Sequence, residues 1–306
     1  MGQERLIEVR KPTRWAVDIS AILNTVHGPN HFPISVAEVA LDLSKHWFPD
    51  DPLSLVKGDN LPGFDGALFR APSGKKGWGI FYNNAIPSKG RINFTLAHEF
   101  GHYLIHRLAF PNGVRCSQHD FVGWNSEYKH IENEANTFAA YLLMPFDDYR
   151  RQINASVVVT FDMLSECAER YEVSLVAATL RWLAYTEQRA VLVVSRDGFI
   201  LWARSSKSAL KSRYYFKTSG RAIPVPDLSI AAHPDSVADA RLGLNHPAGI
   251  WFPEPCQEMS IVSENYDFTL SLIQLPSSSG YHSFDADDGE EDFETLADKI
   301  ERIHGL

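Results

Sequence analysis

The five residues His98-Glu-Phe-Gly-His102 constrain this chain more than any other stretch. On a helix, residues four apart lie one turn apart and project from the same face. His98 and His102 can therefore present two neutral imidazoles to one metal ion. Glu99 stands on the adjoining flank, where its carboxylate can take a proton from a metal-bound water. The surroundings call for a buried helix: Phe94, Leu96, Ala97, Phe100, Tyr103, Leu104 and Ile105 are apolar, and no proline interrupts them.

A catalytic zinc needs a third protein ligand and an open fourth position. A second helical stretch, His130 to Met144, has acidic residues in its first turn, then alanine and leucine packing positions, and stops at Pro145. A carboxylate near its start can reach a metal held by a neighbouring helix. Glu132 and Glu134 are both candidates. Two positions apart on a helix they point different ways, so only one of them can serve a given ion. The strand-like stretch Gly77 to Tyr82 precedes the motif and is expected as an edge strand that holds extended peptide through backbone hydrogen bonds.

RINFTLAHEFGHYLIH (91–106) followed by IENEANTFAAYLLMP (131–145) resembles the ImmA/IrrE family of zinc metallopeptidases. The resemblance is firmest from Arg91 to Pro145 and extends more loosely from the N-terminus to Tyr185. It implies that His98, His102 and Glu132 bind zinc and that Glu99 is the general base. Glu132 is preferred because it stands four residues before Asn136, a spacing like the glutamate-to-polar pair of other glutamate-ligated zinc peptidases; Glu134 stays open as the alternative. The resemblance also implies an endopeptidase that cuts one protein partner, a helix-turn-helix transcriptional repressor encoded nearby, in a regulated, stress-responsive or mobile-element circuit. The donors suit Zn2+, and they are also compatible with Mn2+ or Fe2+.

His106 continues the four-residue series. It lies about 12 Å along the axis from His98 at ~1.5 Å per residue, too far to join the same ion, and is expected at the surface or helix end. His119, Tyr128 and His130 fall in the long loop Arg107 to Ile131, where any of them is a candidate to stabilise an oxyanion. An ordinary loop role is the simpler expectation for each.

At 306 residues the chain is long enough for two or three domains. No apolar run approaches the ~20 residues of a membrane span. The N-terminus lacks a signal-peptide core, and Gly2 lacks a Ser or Thr at the myristoylation position. The three cysteines, Cys116, Cys167 and Cys256, are far apart and form no CxxC, so reduced thiols in a cytoplasmic setting are expected and sulfur does not compete for the metal. A net charge of −9 speaks against broad nucleic-acid affinity.

Along the chain, 14–27 and 35–47 read as helices parted by Gly28-Pro29-Asn30. Asp51 to Gly66 reads as a Pro/Gly-rich loop, and Ala67–Arg70 with Gly77–Tyr82 as a hairpin. Thr160 to Tyr185 resembles a helix-turn-helix with Ser174 as an N-cap. Its second helix carries only Arg181 as a base, which suits a packing element better than a groove reader. Ala190–Ser195 and Phe199–Ala203 flank an Asp197-Gly198 turn and read as a hairpin. Ile250–Phe252 and Ser260–Leu275 are expected to add strands. Seven bases fall between Arg196 and Arg221, and the basic, aromatic stretch Lys207 to Arg221 suits an acidic partner or nucleic acid, or more simply a solvated face.

The expected fold is α+β. A zincin-like metallopeptidase domain spans 1–150, a helix-turn-helix-like helical segment 151–189, and a small α/β domain 190–276. An acidic, disordered tail occupies 277–306, with a short amphipathic helix from Phe293 to Ile303. The rival readings are a non-enzymatic DNA- or protein-binding regulator with a structural metal site, or a component of a toxin–antitoxin module. Glu99 separates the first rival from an enzyme, since a structural site needs no base.

Overall fold

A computed structural model describes residues 10–117, 126–234, 239–263 and 267–277. The acidic tail, its expected helix, and His119 lie outside the described residues. The chain divides into two compact units. The first comprises residues up to Asp148 together with Glu169–Ser174. The second comprises Tyr149–Ala168 and the described residues from Leu175 to 277.

The first unit opens with α1 (Pro12–His27) and α2 (Val36–Trp47). Pro12 occupies the first turn of α1, where its fixed φ and missing N–H cost nothing, so the helix starts two residues before the apolar pattern does. Trp15, Ile19 and Leu23 form the buried stripe. A four-stranded sheet follows, β1 (Leu53–Asp59), β2 (Phe64–Arg70), β3 (Trp78–Asn83) and β4 (Gly113–Ser117), in the order β1-β3-β2-β4. β1 runs parallel to β3, and β2 is antiparallel to both β3 and β4.

This topology confirms the hairpin and corrects two expectations. Leu53–Asp59 is a strand rather than loop; its exposed positions and its glycine at 58 hid the pattern. The stretch Gly77 to Tyr82 does not lie at the edge. β3 is interior, hydrogen-bonded to β1 on one side and β2 on the other, so its backbone is already paired. The strands that end the sheet are β1 and β4.

Two long helices pack beside this sheet, α3 (Lys89–His106) and α4 (Ser126–Leu143). Ser88 caps α3 by accepting a hydrogen bond from the Arg91 N–H at 3.2 Å. Arg91 Nε donates to Asp65 on β2 at 2.8 Å, tying the helix start to the strand. The far end is fixed by Arg107, whose guanidinium lies 3.8 Å from the centroid of the Phe48 ring and donates to the Tyr103 carbonyl at 3.1 Å. Tyr103 in turn donates to the Asp51 carbonyl at 2.8 Å. Held at both ends, α3 cannot slide against the sheet.

α5 (Phe146–Gln152), α6 (Phe161–Tyr171) and α7 (Leu175–Leu183) follow. α7 is buried from Val176 to Leu183, Arg181 included. In the second unit Tyr149 donates to the Ala178 carbonyl at 2.7 Å, and Gln274 joins the backbone of Val159 through both amide atoms.

The second unit's sheet has six strands in the order β7-β6-β5-β10-β9-β8, with every pair antiparallel. These are β5 (Arg189–Arg196), β6 (Phe199–Ser205), β7 (Ile223–Pro224), β8 (Leu244–His246), β9 (Cys256–Ser263) and β10 (Phe268–Leu275). The β5–β6 hairpin turns at Asp197-Gly198, both with positive φ, as a two-residue primed turn requires. The only helix among its described residues beyond β5 is the short α8 (Lys207–Lys211), so this region is an antiparallel sheet rather than an α/β arrangement. Ile250–Phe252 is not a strand. Trp251 and Phe252 instead turn into an apolar cluster with Val191, Val193 and Ile273. In the basic stretch Lys207, Lys211, Arg213, Lys217 and Arg221 are exposed, as a solvated face requires, while Tyr214 and Phe216 between them tuck against that cluster. No helix among the described residues is long and apolar enough to cross a membrane.

Candidate metal centre

α3 and α4 approach closely because Gly101 has no side chain. A Cβ there would stand 3.0 Å from the Phe138 ring, 3.2 Å from the Ala135 Cα and 3.3 Å from its carbonyl oxygen. With the helices at that separation, the first turns of α4 face the histidines of α3. His98 Nε2 lies 2.9 Å from His102 Nε2, and Glu132 spans the pair, with Oε2 at 3.2 Å from His98 and Oε1 at 3.3 Å from His102. The candidate donor atoms all fall within 4.8 Å of one another. Ligands at ~2.0–2.1 Å from a tetrahedral centre stand roughly 3.3 Å apart. The observed separations match that spacing to within a few tenths of an ångström, so the three residues fit a metal.

The second ring nitrogens are held as well. His98 Nδ1 is 2.8 Å from Asn136 Oδ1. His102 Nδ1 is 3.0 Å from His106 Nδ1, and His106 Nε2 is 3.0 Å from Glu134 Oε2. Glu134 is therefore turned to His106 rather than into the cluster, and His106 is buried rather than placed at the surface. The step along the helix does keep His106 out of the cluster, as the spacing requires. His130 is exposed and lies 3.7 Å from Glu134 Oε1. Tyr128 is half-buried near the start of α4.

The electrostatics reflect the crowding of these groups. Burial pushes both imidazoles toward neutrality. At His98 this is outweighed by the hydrogen bond and charge of Glu132, by Glu99 and by Asn136, and the pKa rises to about 9. At His102 burial wins over Glu132, and the pKa falls to about 4. Burial works to raise Glu132, but the two imidazoles outweigh it and hold the carboxylate well below its ordinary range. A divalent cation at this point would satisfy all three groups at once.

Glu99 is fully buried on the same helix, and β2 passes over it. A Cβ at Gly66 would lie 2.5 Å from Thr95 Cγ2 and 3.1 Å from Glu99 Oε1, so the strand can run this close only with glycine there. Gly66 and Gly101 are the site-shaping residues that sequence reasoning passed over. Gly101 was visible as the small residue inside HEFGH; Gly66 had no local signal, because its neighbour is 33 positions away.

Residues 56–183 match the model of the peptidase M78 family, described as the IrrE N-terminal-like domain. The matched span runs from β1 to α7 and contains His98, Glu99, His102 and Glu132. No curated protein matches the chain.

Proposed function

From residues 56–183 belonging to the IrrE N-terminal-like peptidase family, we propose that this chain is a zinc-dependent endopeptidase. The observation that carries the reading is the convergence of His98, His102 and Glu132 donor atoms beside a fully buried glutamate on the same helix. His98, His102 and Glu132 would hold the metal. When bound, a divalent metal lowers the pKa of water and polarises a carbonyl. Glu99 accepts the proton of the attacking water and returns it to the leaving amine, so one carboxylate serves both half-reactions. Its place under β2 shields it from bulk water.

An extended substrate needs an unpaired strand to lie against. β3 cannot supply it, whereas β4 ends the sheet next to β2, the strand that covers Glu99. β4 is thus our choice for the strand that aligns the scissile segment. The partner remains the one implied by resemblance, a helix-turn-helix repressor cut once at an exposed or locally opened segment, in the cytoplasm. DNA is a poor alternative partner, since α7 is buried along its length.

The test is metal content and hydrolysis together. Wild type should hold about one zinc per chain. Glu99→Gln should hold the same zinc and lose at least ~100-fold in cleavage rate, the lower range for general acid–base catalysis. Glu99→Gln that cleaves like wild type would remove the proposed base. The candidate repressor and casein should be compared as substrates; rapid digestion of casein would overturn the single-partner reading.

A further inference from the structure

Building on the metal-site reading above, we infer that His106 and Glu134 form a hydrogen-bond relay that sets the tautomer of His102 and so aims its lone pair at the metal. Glu134 Oε2 is 3.0 Å from His106 Nε2. His106 Nδ1 is 3.0 Å from His102 Nδ1. His102 Nε2 points at His98 and Glu132.

A carboxylate can only accept, so His106 Nε2 must donate to it. A neutral imidazole has one N–H, so His106 Nδ1 is then a bare acceptor. Two ring nitrogens in hydrogen-bond contact need one proton between them, and His102 Nδ1 must supply it. His102 Nε2 is left with its lone pair, as a metal ligand requires. His98 reaches the same state in one step, because Asn136 Oδ1 accepts from its Nδ1 at 2.8 Å. His102 needs two steps, because the next residue on its helix face is another imidazole, which cannot dictate a tautomer until Glu134 dictates its own. His106 and Glu134 are positioning residues. They lie outside the donor set, and α4 supplies Glu132 and Glu134 to different imidazoles of α3.

The experiment measures zinc affinity by competition with a chromogenic chelator, with the visible spectrum of the cobalt-loaded protein as a second readout. His106→Leu keeps the volume but accepts nothing. It should weaken zinc by ~10- to ~100-fold and alter the cobalt spectrum. His106→Asn keeps an acceptor oxygen near the Nδ1 position and should recover most of the affinity. On the partly exposed Glu134, Glu134→Gln keeps an acceptor and should bind close to wild type. Glu134→Lys replaces the acceptor with a donor, reverses the relay, and should weaken zinc most of the Glu134 variants. Equal affinity in His106→Leu and wild type would overturn the relay, as would equal loss in His106→Leu and His106→Asn. His102→Ala separates the two levels. If it loses zinc while all relay variants keep it, the relay alone falls; if it binds zinc like wild type, the metal site itself falls, and the relay with it.

Discussion

Glu132, partly buried, and Glu258, fully buried, both stand beside histidine, and only Glu132 belongs to a candidate metal site. Glu258, on β9, is fully buried. It accepts from His246 Nε2 at 2.7 Å, Trp251 Nε1 at 2.7 Å, Ser260 Oγ at 3.1 Å, and the backbone N–H groups of Ile230 and Ala231 at 3.0 and 2.8 Å. Five donors surround one acceptor group, so its charge is met by protein dipoles and nothing further is called for. Glu132 is placed the opposite way. It meets two imidazole nitrogens that also face each other at 2.9 Å, so groups able to act as acceptors converge on one point. A proton can relieve that convergence only partly, while a cation relieves it fully. Proximity of Glu to His is therefore uninformative; whether donors or lone pairs converge is what separates a structural pin from a metal site.

The contrast is broken or sharpened most strongly by the same conservative change at both carboxylates. Glu132→Gln should reduce zinc affinity by more than the ~100-fold upper range seen for groups that merely support a ligand. The metal-free protein should melt within about 1 kcal/mol of wild type, because no saturated network is lost. Zinc competition and thermal melting in chelator read the two quantities separately. Unchanged zinc affinity would place the third ligand elsewhere.

Glu258→Gln should show the reverse. Its amide nitrogen would face donors, leaving at least one of them buried and unsatisfied, at a cost of about 3 kcal/mol. Zinc content should not change. Denaturant unfolding of the purified protein gives the stability difference, and a stable variant would mean that the coil around Ile230 and Trp251 is held by apolar packing alone.

Much of the candidate metal centre was readable in the sequence, for a physical reason. His98, Glu99 and His102 lie within one helical turn, so periodicity alone relates them, and α3, α4 and the β5–β6 hairpin are local patterns with local caps or turns. What stayed hidden depends on distant contacts. The role of Glu134 could not be separated from that of Glu132 until His106 was seen to be buried. Strand order is set by long-range pairing, so an apolar stretch such as Trp78–Tyr82 looks the same whether it ends a sheet or lies inside it. Ile250–Phe252 has strand-like composition, yet its aromatics serve the core from a turn. The Glu258 network joins residues 28 positions apart and has no motif at all.

A smaller effect is expected where α3 meets α4. Gly101→Ala would press on the Ala135 backbone and the Phe138 ring at 3.0–3.3 Å, and backbone yields less readily than a side-chain tip. Overpacking of this kind costs about 1–3 kcal/mol. The helices should part slightly, moving Glu132 away from His98 and His102. Melting temperature and zinc affinity should fall together, unlike at Glu132 or Glu258, where they separate. Loss of stability with full zinc affinity would show that the helix spacing does not govern the ligand spacing.

The smallest expected change is at Gly66, and it tests the base rather than the metal. A Cβ there meets Thr95 Cγ2 at 2.5 Å and Glu99 Oε1 at 3.1 Å. Thr95 is buried and β-branched, so its rotamer or β2 itself must shift, and Gly66→Ala should cost about 1–3 kcal/mol of stability. The Glu99 carboxylate must also rotate or move away from the new methyl group. His98, His102 and Glu132 are not touched, and zinc affinity should match wild type. A displaced base loses alignment with the attacking water, and misplacement on this scale lowers rate by ~10- to ~100-fold. The expected signature is a fall in kcat with KM and zinc content unchanged, the same pattern as Glu99→Gln but weaker. The control is Gly243→Ala in the second unit, where a Cβ would meet Met259 Cγ at 2.7 Å and the Glu258 carbonyl at 3.0 Å and φ is +92°. That change should lower stability without altering zinc or kcat per folded molecule. If Gly66→Ala instead loses zinc and Gly243→Ala slows hydrolysis, the separation between a reactive carboxylate site in one unit and a structural one in the other does not hold.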